Sequence, residues 1–229
     1  MLDSNSEMKE ERFHGGQVRL FNSLASDYDA WFEDAGRLIF DIEVRAFQEV
    51  LSSLPKPWLE VGVGSGRFAR ALGIEVGLDP SIRLAEIAKK RGIEVLLGVA
   101  EQPPFRERAF GALFLIVTLC FVTSPLDVLA ESRRVLVPGG KIVLGLVLRD
   151  SPCGQFYEEK KKRGHRYYKH ATFYSFAEVS GFLEEAGFSV EKVISTLFQK
   201  PGEVERAELP CEGFFPDAGF TIIVAEKPA

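Results

Sequence analysis

From Trp58 to Arg149 the sequence alternates short apolar runs with segments of helical spacing, and this alternation constrains the fold more than any other feature. WLEVGV predicts a strand, GRFARALG a short helix, and IEVGLD a second strand. PSIRLAEIAKKRG then reads as a helix opened near Pro80 and closed by Gly92, and IEVLLGV as the third strand. The order continues with the strand FGALFLIVT, the helix PLDVLAESRRVLV with Leu126, Leu129, Ala130 and Arg133 on one face, the turn PGG and the strand KIVLGLVL. Strands alternating with helices pair in parallel and need helices on both faces. Near the end, SFAEVSGFLEEAGF opens with a capping box, Ser175 and Glu178. The runs FSVEKVIS and GFTIIVAEK come next with no helix between them, which predicts antiparallel pairing at one sheet edge.

Two segments depart from this pattern. Residues 1–57 read as a polar tail and a helical cap, where Ile39, Ile42, Ala46 and Val50 share one face until Pro55 and Pro57 stop the helix. Residues 150–174 form a polar insertion after the fifth strand, and long insertions at that edge of a parallel sheet are usually functional. The rest, 58–229, forms the core. The start of the chain mixes acidic and basic residues and resembles neither a signal peptide nor a transit sequence, so a frayed tail is expected. The longest apolar run, Phe110 to Val122, falls short of the roughly 20 residues a spanning helix needs. Three scattered cysteines, Cys120, Cys153 and Cys211, fit neither a disulfide framework nor a zinc site, so no metal is expected and a reducing cytoplasm is the default compartment. A formal net charge of −5 supplies no global attraction to nucleic acid or an anionic membrane.

The stretch Glu60-Val61-Gly62-Val63-Gly64-Ser65-Gly66 joins the first strand to its helix. Bare backbone at the carboxyl edge of a parallel sheet lets a ligand touch the chain. A dinucleotide site would place its third glycine at position 67, which is Arg67, and Glu60 would repel a pyrophosphate. A carboxylate there suits a cationic group such as an ammonium, and Asp79, ending the second strand, can accept two ribose hydroxyls.

With these residues in place, the sequence resembles the class I S-adenosylmethionine-dependent methyltransferases, especially their small-molecule, quinone-methylase-like branch, over about Tyr28 to Phe188. The resemblance implies a Rossmann-like, seven-stranded, mostly parallel sheet with helices on both faces and an antiparallel last strand. It implies S-adenosyl-L-methionine as cofactor, its methionine part on Glu60, Gly62, Val63, Gly64 and Gly66, and its ribose on Asp79, with Pro80 and Ser81 on the adenine side. GVAEQPPF, Gly98 to Phe105, matches the family's adenine segment at Ala100 and Glu101, although Val99 and Gly111 replace common aspartates. RVLVPGGKIVL matches the approach to strand five, and Thr118 falls at the end of strand four. YDAWF resembles the segment that closes over the cofactor, which implies roles for Tyr28 and Trp31.

Methyl transfer from a sulfonium needs alignment and a dry pocket, with no metal or covalent nucleophile. A base helps if the acceptor is a protonated amine or a hydroxyl. His165, His170 and Tyr168, all in the 150–174 lid, are the catalytic candidates, set against solvated loop residues, and His14 falls in the tail. The lid aromatics Phe156, Tyr157, Tyr167 and Tyr168 are expected to close over a small-molecule N or O acceptor, with Lys160, Lys161 and Lys162 left in water. The basic 160–170 segment keeps an RNA methyltransferase open as an alternative, and a non-catalytic cofactor-binding regulator is another. Cys153 after Pro152 reads as a plain loop thiol rather than a nucleophile, and TLCF is not the N-P-P-Y-like turn of amino-methylases.

Overall fold

The computed structural model describes residues 15–228, so His14 and the tail lie outside the described residues. Three helices, α1 (Gly15–Ser23), α2 (Ala25–Trp31) and α3 (Arg37–Leu51), precede β1 (Trp58–Val61). The alternation then runs α4 (Arg67–Leu72), β2 (Val76–Asp79), α5 (Ile82–Lys90), β3 (Glu94–Leu97), β4 (Phe110–Ile116), α6 (Pro125–Val135) and β5 (Leu136–Leu146). The lid contains a helix, α7 (Pro152–Lys162). After it come α8 (Phe176–Glu185), β6 (Ser189–Thr196), β7 (Cys211–Glu212) and β8 (Phe220–Glu226). Among the described residues no helix is long and apolar enough to cross a membrane.

The sheet has eight strands in the order β3-β2-β1-β4-β5-β8-β6-β7, one more than the seven expected. The addition is the two-residue β7, which pairs with Ile194 and Ser195 and is too short to show a period in sequence. Strands β3 through β5 are parallel. The last strand, β8, is antiparallel to both β5 and β6, so it lies inside the sheet and not at its edge. Its first six residues are all buried, as suits a strand covered on both faces.

Side chains alternate between two cores. Ala112, Phe114 and Ile116 of β4 pack with Phe47 of α3 and Phe68 of α4, whereas Leu113 and Leu115 pack with Leu129 of α6 and Leu183 of α8. The buried face of α6 is Val128, Leu129, Ser132 and Val135, not the Leu126–Arg133 face read from spacing. Ser132 tolerates burial because its hydroxyl donates to the Val128 carbonyl at 2.7 Å. The capping box of α8 forms as expected, with Glu178 N–H donating to Ser175 Oγ and Ser175 N–H to the Glu178 carboxylate.

From β1 the chain runs outward to β2 and β3 on one side and to β4 and β5 on the other. At such a reversal the helices diverge, leaving a crevice beyond the carboxyl ends of the strands. Gly111, in place of the family's aspartate, serves packing: a Cβ there would fall 2.3 Å from the Pro55 carbonyl, so the close-packed entry to β1 demands glycine.

Candidate active site

The loop after β1 bends over the end of β2. Gly62 N–H donates to the Leu78 carbonyl at 2.7 Å, and Gly62 holds φ +73° with a missing Cβ that would overlap Thr118 Oγ1 at 2.3 Å. Glycine is required there twice over, by conformation and by contact. Asp79 braces the remainder of the loop. Its carboxylate accepts Gly64 N–H and Ser81 N–H, each at 2.8 Å, and it lies buried. Burial pushes its pKa up to about 6, against the pull of those two backbone donors. Glu60 is also buried; burial and the charge of Asp79 hold its pKa well above the usual carboxylate range. It accepts a backbone hydrogen bond from Ala69, yet its Oε2 has no partner among the described residues. Two buried carboxyls, one with an orphaned oxygen, call for a ligand bearing hydrogen-bond donors and positive charge.

The N-terminal helices are pinned over this loop. Asp29 of α2 takes Arg67 at 2.8 Å and Arg91 at 2.7 Å, and Arg91 also donates to the Ser65 carbonyl. Burial would raise the Asp29 pKa, but the two guanidinium groups win and hold it at about 2. Asn22 of α1 accepts from Ser81 Oγ at 2.8 Å. Arg67, the residue that breaks a dinucleotide fingerprint, is therefore a clamp for the cap.

Beneath the cap lies a cavity of about 580 Å³. Glu60, Gly62, Val63, Gly64, Asp79, Pro80 and Ser81 line one end of it, together with Ala100, Glu101 and Thr118. Tyr28 and Trp31 join them from the cap, the Tyr28 hydroxyl facing Gly64. Glu101 accepts Thr123 N–H at 2.9 Å, which ties the adenine segment to the turn after β4. Gly66 does not reach the cavity: it caps α4, and a Cβ there would meet Ala88 of α5 at 2.9 Å, so its place is helix packing.

The lid forms the other end. Phe156, Tyr157, Tyr167 and Tyr168 all line the cavity, and Tyr157 and Tyr168 stack at 4.4 Å. His165 lines it as well, stacking on Tyr168 at 4.7 Å; burial, and then Lys160 and Arg166, lower its pKa. His170 is exposed outside the cavity, so it does not share the site. The lysines separate too. Lys160 faces the cavity with Nζ 4.4 Å from the Phe156 ring centroid, Lys161 donates to the Ala171 carbonyl, and Lys162 alone stays in water, paired with Glu159. Tight helical winding turns neighbours in sequence to different sides. Cys153 is buried off the cavity with its thiol pushed up to about 12, an inert position for a nucleophile.

Sequence reasoning missed Glu43. It lies on the buried face of α3 and lines the cavity, and burial alone lifts its pKa to about 8. The available signal was an acid amid Ile39, Ile42, Ala46 and Phe47 on an apolar face. Val117, a β-branched residue at φ +50°, was also invisible; this strained turn at the end of β4 brings Thr118 and Cys120 to the cavity wall.

Comparison with known proteins converges on one class. Residues 59–144 match the methyltransferase domain family. A solved Thermotoga maritima structure named "SAM-dependent methyltransferase, possible histamine N-methyltransferase" superposes with a TM-score of 0.85 at 37% identity, covering 91% of this chain and 98% of that one. An uncharacterised protein of Methanocaldococcus jannaschii is 39% identical across 92% of this chain and 100% of its own length. A demethylmenaquinone methyltransferase of Thermotoga maritima is 31% identical over 56% of this chain and 59% of its own. The chain belongs to the class I S-adenosylmethionine-dependent methyltransferases. It is an enzyme, and its cofactor, when bound, supplies an electrophilic methyl group on a sulfonium; the orphaned Glu60 oxygen and the Asp79 pocket fit that group's donors and charge.

Proposed function

We propose that the enzyme methylates a small molecule on nitrogen or oxygen inside the capped cavity. Glu60, Gly62, Val63 and Gly64 hold the amino-acid end of the cofactor, and Asp79 its ribose. Pro80, Ser81, Ala100 and Glu101 flank the adenine, and Tyr28, Trp31 and Thr118 close the site from the cap and β4. The observation that carries this reading is the continuity of one cavity from the paired carboxyls to the lid aromatics. An acceptor there meets rings and is shielded from water, which in-line displacement favours.

The basic lid segment suits this acceptor better than RNA. Arg166 pairs with Asp27 at 3.0 Å, Lys162 with Glu159, and Lys161 with the Ala171 carbonyl, so these cations are already engaged. S-adenosylhomocysteine is expected to raise the melting temperature while NAD does not. Labelled methyl groups should then pass to a fraction of small metabolites and not to RNA. Transfer to RNA, with binding that weakens steeply in salt, would overturn the small-molecule reading.

A further inference from the structure

We propose that Glu43, which lines the cavity together with Tyr28, Tyr157 and Tyr168, recognises the reacting nitrogen of the acceptor, which is a small amine on an apolar body. This rests on the small-molecule reading above and narrows it to one substrate class. Glu43 is 7% exposed and lines the cavity, and its carboxyl has no hydrogen bond or ion pair among the described residues. A carboxyl kept in such a place costs stability unless something arrives to use it. The cavity's own cations are committed elsewhere: Arg67 to Asp29 and Glu33, and Arg166 to Asp27. Lys160 lies over the Phe156 ring.

Its surroundings fit an ammonium. Tyr28 of α2, Tyr157 of α7 and Tyr168 share the cavity with Glu43, and each is a neutral phenol at physiological pH, with burial, the largest cause, raising its pKa further. Aromatic faces attract a cation in a desolvated pocket. Tyr28 also faces Gly64 of the loop that Asp79 braces, so one cavity carries both Glu43 and the two carboxyls beside that loop.

The chemistry balances with the cofactor the family uses. The amine enters as R–NH₃⁺, whose charge displaces the Glu43 proton to solvent, and it then gives one of its own protons to the resulting carboxylate. The freed nitrogen lone pair forms the N–CH₃ bond as the methyl–sulfur bond breaks, its electrons returning to sulfur. The products are R–NH₂⁺–CH₃, the neutral thioether and Glu43 protonated as it was before binding. A base whose pKa is lifted by burial to about 8 is better matched to an ammonium than an ordinary carboxylate.

The test is calorimetric titration of the enzyme saturated with S-adenosylhomocysteine, at neutral pH, in two buffers of different ionisation enthalpy. The probes are benzylamine, 2-phenylethylamine and hexylamine against the isosteric benzyl alcohol, 2-phenylethanol and hexanol. At least one amine should bind roughly tenfold tighter than its alcohol, with release of a proton. Glu43→Gln should abolish both the preference and the proton release, Glu43→Asp should keep part of them, and S-adenosylhomocysteine affinity should not change. No amine preference across the panel, or a preference that survives in Glu43→Gln, overturns the proposal. Methyl transfer to a phenol or alcohol that is indifferent to Glu43→Gln overturns it while sparing the small-molecule reading. Transfer to RNA alone overturns both.

Discussion

At one end of the cavity the ligand-facing groups are backbone amides and two carboxyls held by β1 and β2; at the other they are side chains from α2, α3, α7 and the lid turn. The first end is built by strands that the whole sheet braces, and its polar atoms are positioned by hydrogen bonds from the loops at the strand ends. The second is built by elements of the cap and lid that meet through ring contacts, such as Phe21 with Tyr167 and Tyr28 with Tyr167, and through polar links such as the Arg166–Asp27 ion pair. Such a division suits one shared cofactor and variable acceptors. On the proposed assignment of cofactor to the first end and acceptor to the second, the first should tolerate little change, whereas the second can be re-cut by altering single side chains.

The largest loss should come from Asp79→Ala. It orphans Gly64 N–H and Ser81 N–H together, so stability should fall by about 2–4 kcal/mol and S-adenosylhomocysteine affinity should fall with it. Equilibrium unfolding and calorimetry check this; a variant that kept both would break the view that Asp79 braces the loop.

Glu43→Gln should do the opposite to stability, and only at high pH. Below pH 4.5 Glu43 is protonated in folded and unfolded chains alike, so the substitution changes little. As pH rises from 4.5 to about 8 the unfolded chain releases the proton while the folded chain keeps it, so wild type loses stability across that window. The Gln variant escapes this loss and should be more stable by about 5 kcal/mol near pH 9. Denaturant unfolding at both ends of the window measures the difference, and a difference independent of pH would reassign the group.

Tyr168→Ala should raise the KM for the acceptor about tenfold and leave cofactor affinity unchanged, since it removes a ring from the lid end alone. A matching loss of S-adenosylhomocysteine binding would erase the contrast between the two ends. The smallest effect is expected from Lys162→Gln, which exchanges a residue in water and should change neither melting temperature nor activity.

Legibility in the sequence divides along the same line. The alternation of strands and helices, the Glu60–Gly66 loop, Asp79 and the Ser175–Glu178 box were readable because each is encoded by residues a few positions apart. Gly66 read as a ligand contact and proved to be a packing position, because a bare backbone serves a ligand and a neighbouring helix equally well. His165 and His170 were indistinguishable in sequence, and only the turn between them sends one to the cavity and the other to water. Local spacing, which repeats every two or 3.6 residues, thus determined the fold class and the place of the glycine loop after β1. Tertiary structure alone decided what lines the lid end of the cavity. Glu43 shares its cavity with Tyr28, Tyr157 and Tyr168, which lie on other elements of the chain, and no local period connects residues brought to one cavity only by the packing of cap and lid on the sheet.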